Sequence, residues 1–173
     1  MIEIDCSRES ANEIENCLRT MYGERIYAAM GSAAARAASS ARTVGKKNVR
    51  QIYTIKPATF KSSITIRRIP SGAFLRVAGY RLSAKNYKAS KRKKGIFVSV
   101  KKGAGDIIPR SFAYGDKFMR RKGDARFPIK GIASPAVPQL FGNAAVLDEM
   151  AKEAMKKYEE RLRHEVGRIM GGR

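Results

Sequence analysis

A chain of 173 residues with 43% hydrophobic content has enough apolar material for one core and is not disordered as a whole. Its 36 Lys+Arg against 15 Asp+Glu give a formal charge of +21, which points to polyanionic or acidic partners and says nothing about fold. Cys6 and Cys17 are too few for a disulfide framework, no window is apolar enough to span a membrane, and Glu3 and Asp5 stand where an export signal would be positive; a reduced, cytoplasmic setting is expected.

The charge is concentrated. Residues 1–41 hold four Lys+Arg against six Asp+Glu, residues 42–130 hold 25 against three, and residues 131–173 hold seven against six. This divides a single domain over 1–173 into an N-terminal strand and helix (1–42), a basic β-rich middle (43–130), and a connector with a C-terminal helix (131–173). "MIEIDC" alternates like a short strand. Ser10-Ala11-Asn12-Glu13 has the form of a capping box and predicts a helix start. Ile14, Leu18, Tyr22, Ile26, Met30, Ala33 and Ala37 then recur at three- or four-residue steps, which predicts one buried face. That face begins bulky and ends small in "AAMGSAAARAASSA" (28–41), so another backbone can come close; the expectation is tight packing on a sheet, with an inter-subunit contact as the alternative. Gly23 and Gly31 each weaken such a helix by roughly 1 kcal/mol relative to Ala.

The middle reads as short strands and turns. A short helix is expected near 46–52, and residues 57–69 fit helix or strand equally. "AFLRVAGY" (73–80) and "GIFVSV" (95–100) are β-rich, with "KNYKASKRKKG" (85–95) between them as a charged loop. "IIPRSFAY" (107–114) is expected to return antiparallel, and residues 116–129 to form a hairpin turning at Lys122-Gly123-Asp124. The connector "RFPIKGIASPAVPQLFGN" (126–143) carries Pro128, Pro135 and Pro138, which bar a long helix. Asn143 is then a natural N-cap for a helix presenting Leu147, Ala151, Ala154, Tyr158, Leu162, Val166 and Ile169 on one face, with Glu153–Lys157 and Glu159–Arg163 as four-apart pairs. The fold class is α+β: a small, mostly antiparallel sheet flanked by a long N-terminal helix and a long C-terminal amphipathic helix.

Chemistry is sparse. The one histidine, His164, lies on a charged helix face, and Asp106, Asp116 and Asp124, the only carboxylates of the middle, all adjoin glycines in expected turns, where Asp serves the backbone. "KKGAGD" completes neither a phosphate-binding loop nor a dinucleotide fingerprint. No catalytic residue, metal ligand or cofactor site is indicated, so the expectation is a protein that is not an enzyme. The basic runs Lys91-Arg92-Lys93-Lys94, Lys101-Lys102 and Arg120-Arg121-Lys122 sit at strand ends and are expected to gather as one patch for phosphates or for an acidic protein neighbour.

The Ala-rich helix with "AAARAASSARTVGKKNVRQIYTIKP", then "RLSAKNYKASKRKKGIFVSVKKGAGDIIPRSFAY", then "RRKGDARFPIKGIASPAVPQLFGN" before a charged amphipathic helix resembles the minor tail protein Z family of lambda-like phages and prophages, over roughly residues 10–168 and in the same order. Its most telling piece is Phe127-Pro128-Ile129-Lys130-Gly131-Ile132 with Ser134-Pro135-Ala136-Val137-Pro138-Gln139; where relatives have Gly before that serine, this chain has Ala133. The resemblance implies a structural protein of the virion tail, assembled in the host cytoplasm, that completes the head-proximal end of the tail for joining to the filled head. It also implies partners among other tail or neck proteins. A ring of about six copies is expected, with Phe127, Pro128, Ile129, Pro135, Val137, Pro138 and Leu140 as its assembly surface and either duplex DNA in the lumen or an acidic protein against the basic surface. The alternative of a different class is a cationic nucleic-acid-binding module, ribosomal or nucleoid-like.

Overall fold

The computed structural model describes residues 8–70 and 72–170, with side chains from residue 23 onward. The strand expected over residues 1–6 and the side chains of Ile14, Leu18 and Tyr22 lie outside it. The first element, α1 (Arg8–Ile52), is one helix of 45 residues. It begins two residues before the expected cap and absorbs the short helix expected near 46–52, so the boundary drawn at residue 42 falls inside it. No proline or turn sequence separates the Ala-rich run from "VGKKNVRQI", and Gly45 alone does not stop a helix whose flanks are packed.

Buried positions along α1 recur every fourth residue: Ala29, Ala33, Ala37, Ala41, Gly45, Val49. A four-residue step overshoots the 3.6-residue turn by about 40°, so the stripe winds round the helix and meets different neighbours in turn. Ile26, expected on this face, is 40% exposed. The main neighbour is the C-terminal helix α3 (Ala144–Met170) rather than a sheet, and it runs antiparallel to α1. Ala28, Ala29 and Ser32 line a cleft of about 490 Å³ with Glu165, Arg168 and Ile169 at one end of the pair, while further along Ser40 Oγ donates to Glu153 Oε1 (2.6 Å) and a side chain at Gly45 would strike Met150 and Phe141. Small residues let the two helices approach closely, and the Ser40–Glu153 bond fixes their register. The small face is therefore spent inside the subunit.

Asn143 caps α3 as expected: its Oδ1 accepts the Ala145 N–H at 3.1 Å. The first turns of α3 bury Val146 and Met150 instead of Leu147, which is 49% exposed, and Ala151, also exposed. From Ala154 onward Tyr158, Leu162, Val166 and Ile169 are half-buried along the expected stripe. Neither expected four-apart ion pair forms: Glu153 is turned to Ser40, and the pairs present are the three-apart Glu149–Lys152, Lys157–Glu160 and Glu165–Arg168.

Residues 57–69 hold both structures left open for them: a 3-10 turn at Pro57–Phe60 and strand β1 (Ile64–Ile69). β1 pairs antiparallel with β2 (Gly72–Val77), in register from Ile64↔Val77 to Ile69↔Gly72. This hairpin packs on α1, where a Cβ at Gly31 would run into the Pro70 carbonyl. After β3 (Leu82–Ser83), β4 (Lys88–Arg92) and β5 (Gly95–Ser99) pair antiparallel, and β6 (Asp106–Ile108) pairs with β5 on its other edge. The segment expected as a charged loop is thus in part a 3-10 turn (Ala84–Asn86) and in part strand β4, where Ala89 and Ser90 are half-buried between exposed Lys88 and Lys91. "IIPRSFAY" breaks at Pro109-Arg110, where Arg110 takes a left-handed φ of 56°, so it gives β6 and then β7 (Ser111–Tyr114). The expected hairpin forms between β8 (Lys117–Arg121) and β9 (Ile129–Gly131), and β10 (Ala133–Ser134) pairs back to β3. The sheets are all antiparallel, and with the two long helices the fold is α+β.

One core, drawn from all three segments of the chain, joins α1, α3, the β1–β2 hairpin and the connector; it includes Val49, Phe60, Ile64, Tyr87, Leu140, Phe141 and Val146. A second, smaller cluster, Ala84, Ile96 and Ile132, lies among the remaining strands. Among the described residues no helix is long and apolar enough to cross a membrane.

Candidate anion-binding surface

The strands decide which basic runs meet. In the β4–β5 hairpin Arg92 faces Gly95 at the tip, and Lys88 faces Ser99 at the opposite end. Gly95, at φ 143°, sits so close to Ile108 that a side chain would strike the Ile108 carbonyl, and the Ile96 N–H donates to Ser111 Oγ at 2.7 Å. The Lys91–Lys94 tip is therefore carried against the β6–β7 turn. Ser111 in turn faces Arg120 across β7–β8, and the Arg121 N–H donates to the Arg110 carbonyl at 3.1 Å. Two of the three expected runs, Lys91-Arg92-Lys93-Lys94 and Arg120-Arg121-Lys122, thus reach the same end of the β region.

Lys101 and Lys102 do not. They follow β5 at its far end, where Lys101 bridges to Tyr53 and the Lys102 N–H donates to the Ile52 carbonyl at the end of α1. Roughly 20 Å of extended chain separates them from Lys94. A patch containing all three runs is therefore corrected to two runs at one end and one run at the other.

The structure adds Lys130, which the sequence reading passed over. On antiparallel β8 and β9, Arg120 lies directly opposite Lys130, and the Lys122 N–H donates to the Pro128 carbonyl at 3.0 Å, extending the ladder past the strand end. Arg120, Lys122 and Lys130 line one groove of about 320 Å³ whose floor includes Ile108 and Ile132. The Lys122 side chain, close enough to hydrogen-bond with Lys130 and carrying like charge, holds the Lys130 amine below the usual lysine range. The hairpin expected to turn at Lys122-Gly123-Asp124 would have set Arg120 against Arg126; the loop that forms, residues 122–128, moves its partner to Lys130. The seven-residue loop length had to be known first.

Acids do little to relieve this end. Asp124 pairs with Arg110, Asp116 pairs with Lys85 at 2.9 Å on the other end of β8, and Asp106 Oδ1 accepts the Ile107 N–H. The three carboxylates serve separate turns and do not converge. Among the described residues no group of three His, Cys, Asp or Glu is placed to hold a metal ion. Arg121 also stacks over Phe112, with its guanidinium carbon 5.6 Å from the ring centre.

The connector splits in two. Phe127 is 66% exposed and Pro128 is exposed, in the β8–β9 loop beside the cationic groove, with Ile129 half-buried. Val137 and Leu140, expected on the assembly surface, are 0% and 2% exposed and belong to the main core, with Pro135 and Pro138 half-buried around them. The physical reason is the short helix α2 (Val137–Phe141). Its first turn is closed by Gln139 Oε1 accepting the Ala136 N–H at 2.9 Å, and the Pro135 carbonyl accepts the Tyr87 hydroxyl at 2.7 Å, which together turn the apolar side chains inward. No family model matches the chain, and no curated protein or solved structure matches it either.

Proposed function

We propose that this protein is a structural, non-enzymatic subunit of a phage or prophage tail, which completes the head-proximal end and enables head joining. The observation that carries the reading is the ordered run of motifs over roughly residues 10–168, and above all the segment from Phe127 to Gln139. Two structural features support it. The segment's second half forms part of the core, which accounts for its composition, and its first half leaves Phe127 and Pro128 on the surface, available to a neighbouring subunit. The assembly surface is accordingly Phe127, Pro128 and Ile129, in a ring of about six copies whose contacts are heterologous and close by rotation.

Complementation tests the reading: purified protein is added to cognate tails made without their completion protein, filled heads are supplied, and infectious particles are counted. A gain in titre is expected, and Phe127→Asp should reduce it while leaving the fold intact. No gain with the unaltered protein would sink the assembly role. The Arg120–Lys122–Lys130 face favours a second reading, a cationic nucleic-acid-binding module, for which DNA binding would be seen without any gain in titre.

A further inference from the structure

We propose that Arg120, Lys122 and Lys130 form a seat for the phosphodiester backbone of duplex DNA, with the Lys91–Lys94 hairpin tip as a second point of contact at the same end of the molecule. The proposal stands on the geometry of these cations and goes beyond the tail-end reading, which would survive if the surface met something else.

The first argument is the cross-strand placement. Residues directly opposite on antiparallel strands have Cβ atoms about 4.5–5.5 Å apart, and like charges in such pairs destabilise the sheet. Arg120 and Lys130 are such a pair, and Lys122 is brought against Lys130 from the same strand end. Among the described residues none of the three has a carboxylate within ion-pair distance. Repulsion that no described carboxylate relieves is relieved by a bound anion.

The second argument selects the anion. Duplex DNA carries one negative charge per about 1.7 Å of axis, a density that surface carboxylates of a folded protein rarely reach, and its condensed counterions are released when cations replace them. The groove is open to the surface, and the close approach of Gly95 to Ile108 puts the four consecutive cations of the β4–β5 tip at the same end. Cations spaced over two strand ends suit a repeating phosphate chain better than a single small anion. Apart from its cations the groove is lined only by Ile108, Gly131, Ile132 and Ala133, and cations engaged with phosphates carry no sequence information, so binding is expected to be indifferent to sequence.

The full chain is titrated against fluorescent random-sequence duplex DNA across a salt series, beside a triple Arg120→Gln, Lys122→Gln, Lys130→Gln variant. A charge-matched control, Arg36→Gln, Lys156→Gln, Arg163→Gln, removes three exposed cations from the helices. At about 0.9 per phosphate, the triple variant should make the log–log salt slope shallower by about 2.7, and the control should leave it unchanged. Circular dichroism confirms that both variants are folded; since all three groove side chains are exposed, the triple variant should be at least as stable as the parent. A folded triple variant with the parental slope overturns the proposal. So does polyglutamate bound as tightly as DNA at equal charge, which would assign the surface to an acidic protein, and so does an equal loss of slope in the control, which would leave only diffuse attraction.

Discussion

The helical and β ends of this molecule divide stability and charge between them. In α3 six Lys+Arg face six Asp+Glu, and its seam with α1 holds buried alanines and Gly45, where a side chain would strike Met150 and Phe141. Residues 88–131 hold fourteen Lys+Arg against three Asp+Glu around a cluster no larger than Ala84, Ile96 and Ile132 with a few half-buried neighbours. In the helical hairpin the inward side chains determine stability, because close packing around Gly45, Met150 and Phe141 leaves no room for added volume. In the β end the outward side chains contribute little to stability, and are therefore free to carry binding.

The contrast is broken most severely at the connector, which crosses from one regime to the other. Leu140→Asp puts an unpaired carboxylate into the main core and should cost on the order of 4–5 kcal/mol or leave the chain unfolded. Phe127→Asp, thirteen residues earlier and largely exposed, should stay within about 0.5 kcal/mol of the parent. Urea denaturation of the two variants side by side is the measurement; equal losses would show that the connector is one structural unit and that the division drawn here is wrong.

A smaller effect sharpens the comparison within α1 itself. At Gly31 an added methyl meets the backbone oxygen of Pro70, which cannot swing aside, so Gly31→Ala should lose about 1–2 kcal/mol even after the better helix propensity of alanine. At Gly23 nothing lies within 4 Å, and Gly23→Ala should gain about 1 kcal/mol. Thermal or urea midpoints of opposite sign are expected for the same substitution on the same helix. Two midpoints shifted the same way would mean that the β1–β2 hairpin does not seat at Gly31.

The smallest effect concerns the join between the ends, where Tyr87 holds the connector. Burial, with Tyr53 nearby, pushes its phenol up to about 12. The unfolded chain loses this proton near 10 and the folded chain retains it, so this group's effect is to lower stability as pH rises from about 10 towards 12. Tyr87→Phe should cost about 1 kcal/mol at neutral pH, by leaving the Pro135 carbonyl without its donor, and should flatten that alkaline fall. An unchanged alkaline limb in the variant would rule out Tyr87 as its source.

Both long helices, the cap at Asn143, the β character of residues 73–77 and 95–99 and the concentration of cations between the helices could be read from the sequence alone. Each is a local property: helix periodicity, a capping side chain and charge runs are all written within a few residues of where they act. What tertiary structure alone decided was which partners those local features would meet. The small face of α1 lies against α3 and the β1–β2 hairpin, and the first two turns of α3 bury Val146 and Met150 instead of Leu147 and Ala151, because that is the side packed into the main core with Phe141 and Leu140. Val137 and Leu140 turned inward through bonds to Gln139 and Tyr87, one of them a contact 48 residues apart. Lys101 and Lys102 were separated from the other basic runs, and Lys130 was brought opposite Arg120, by strand register. Register is set by pairing between distant segments, and a shift of one residue would reverse the face of every side chain in the strand.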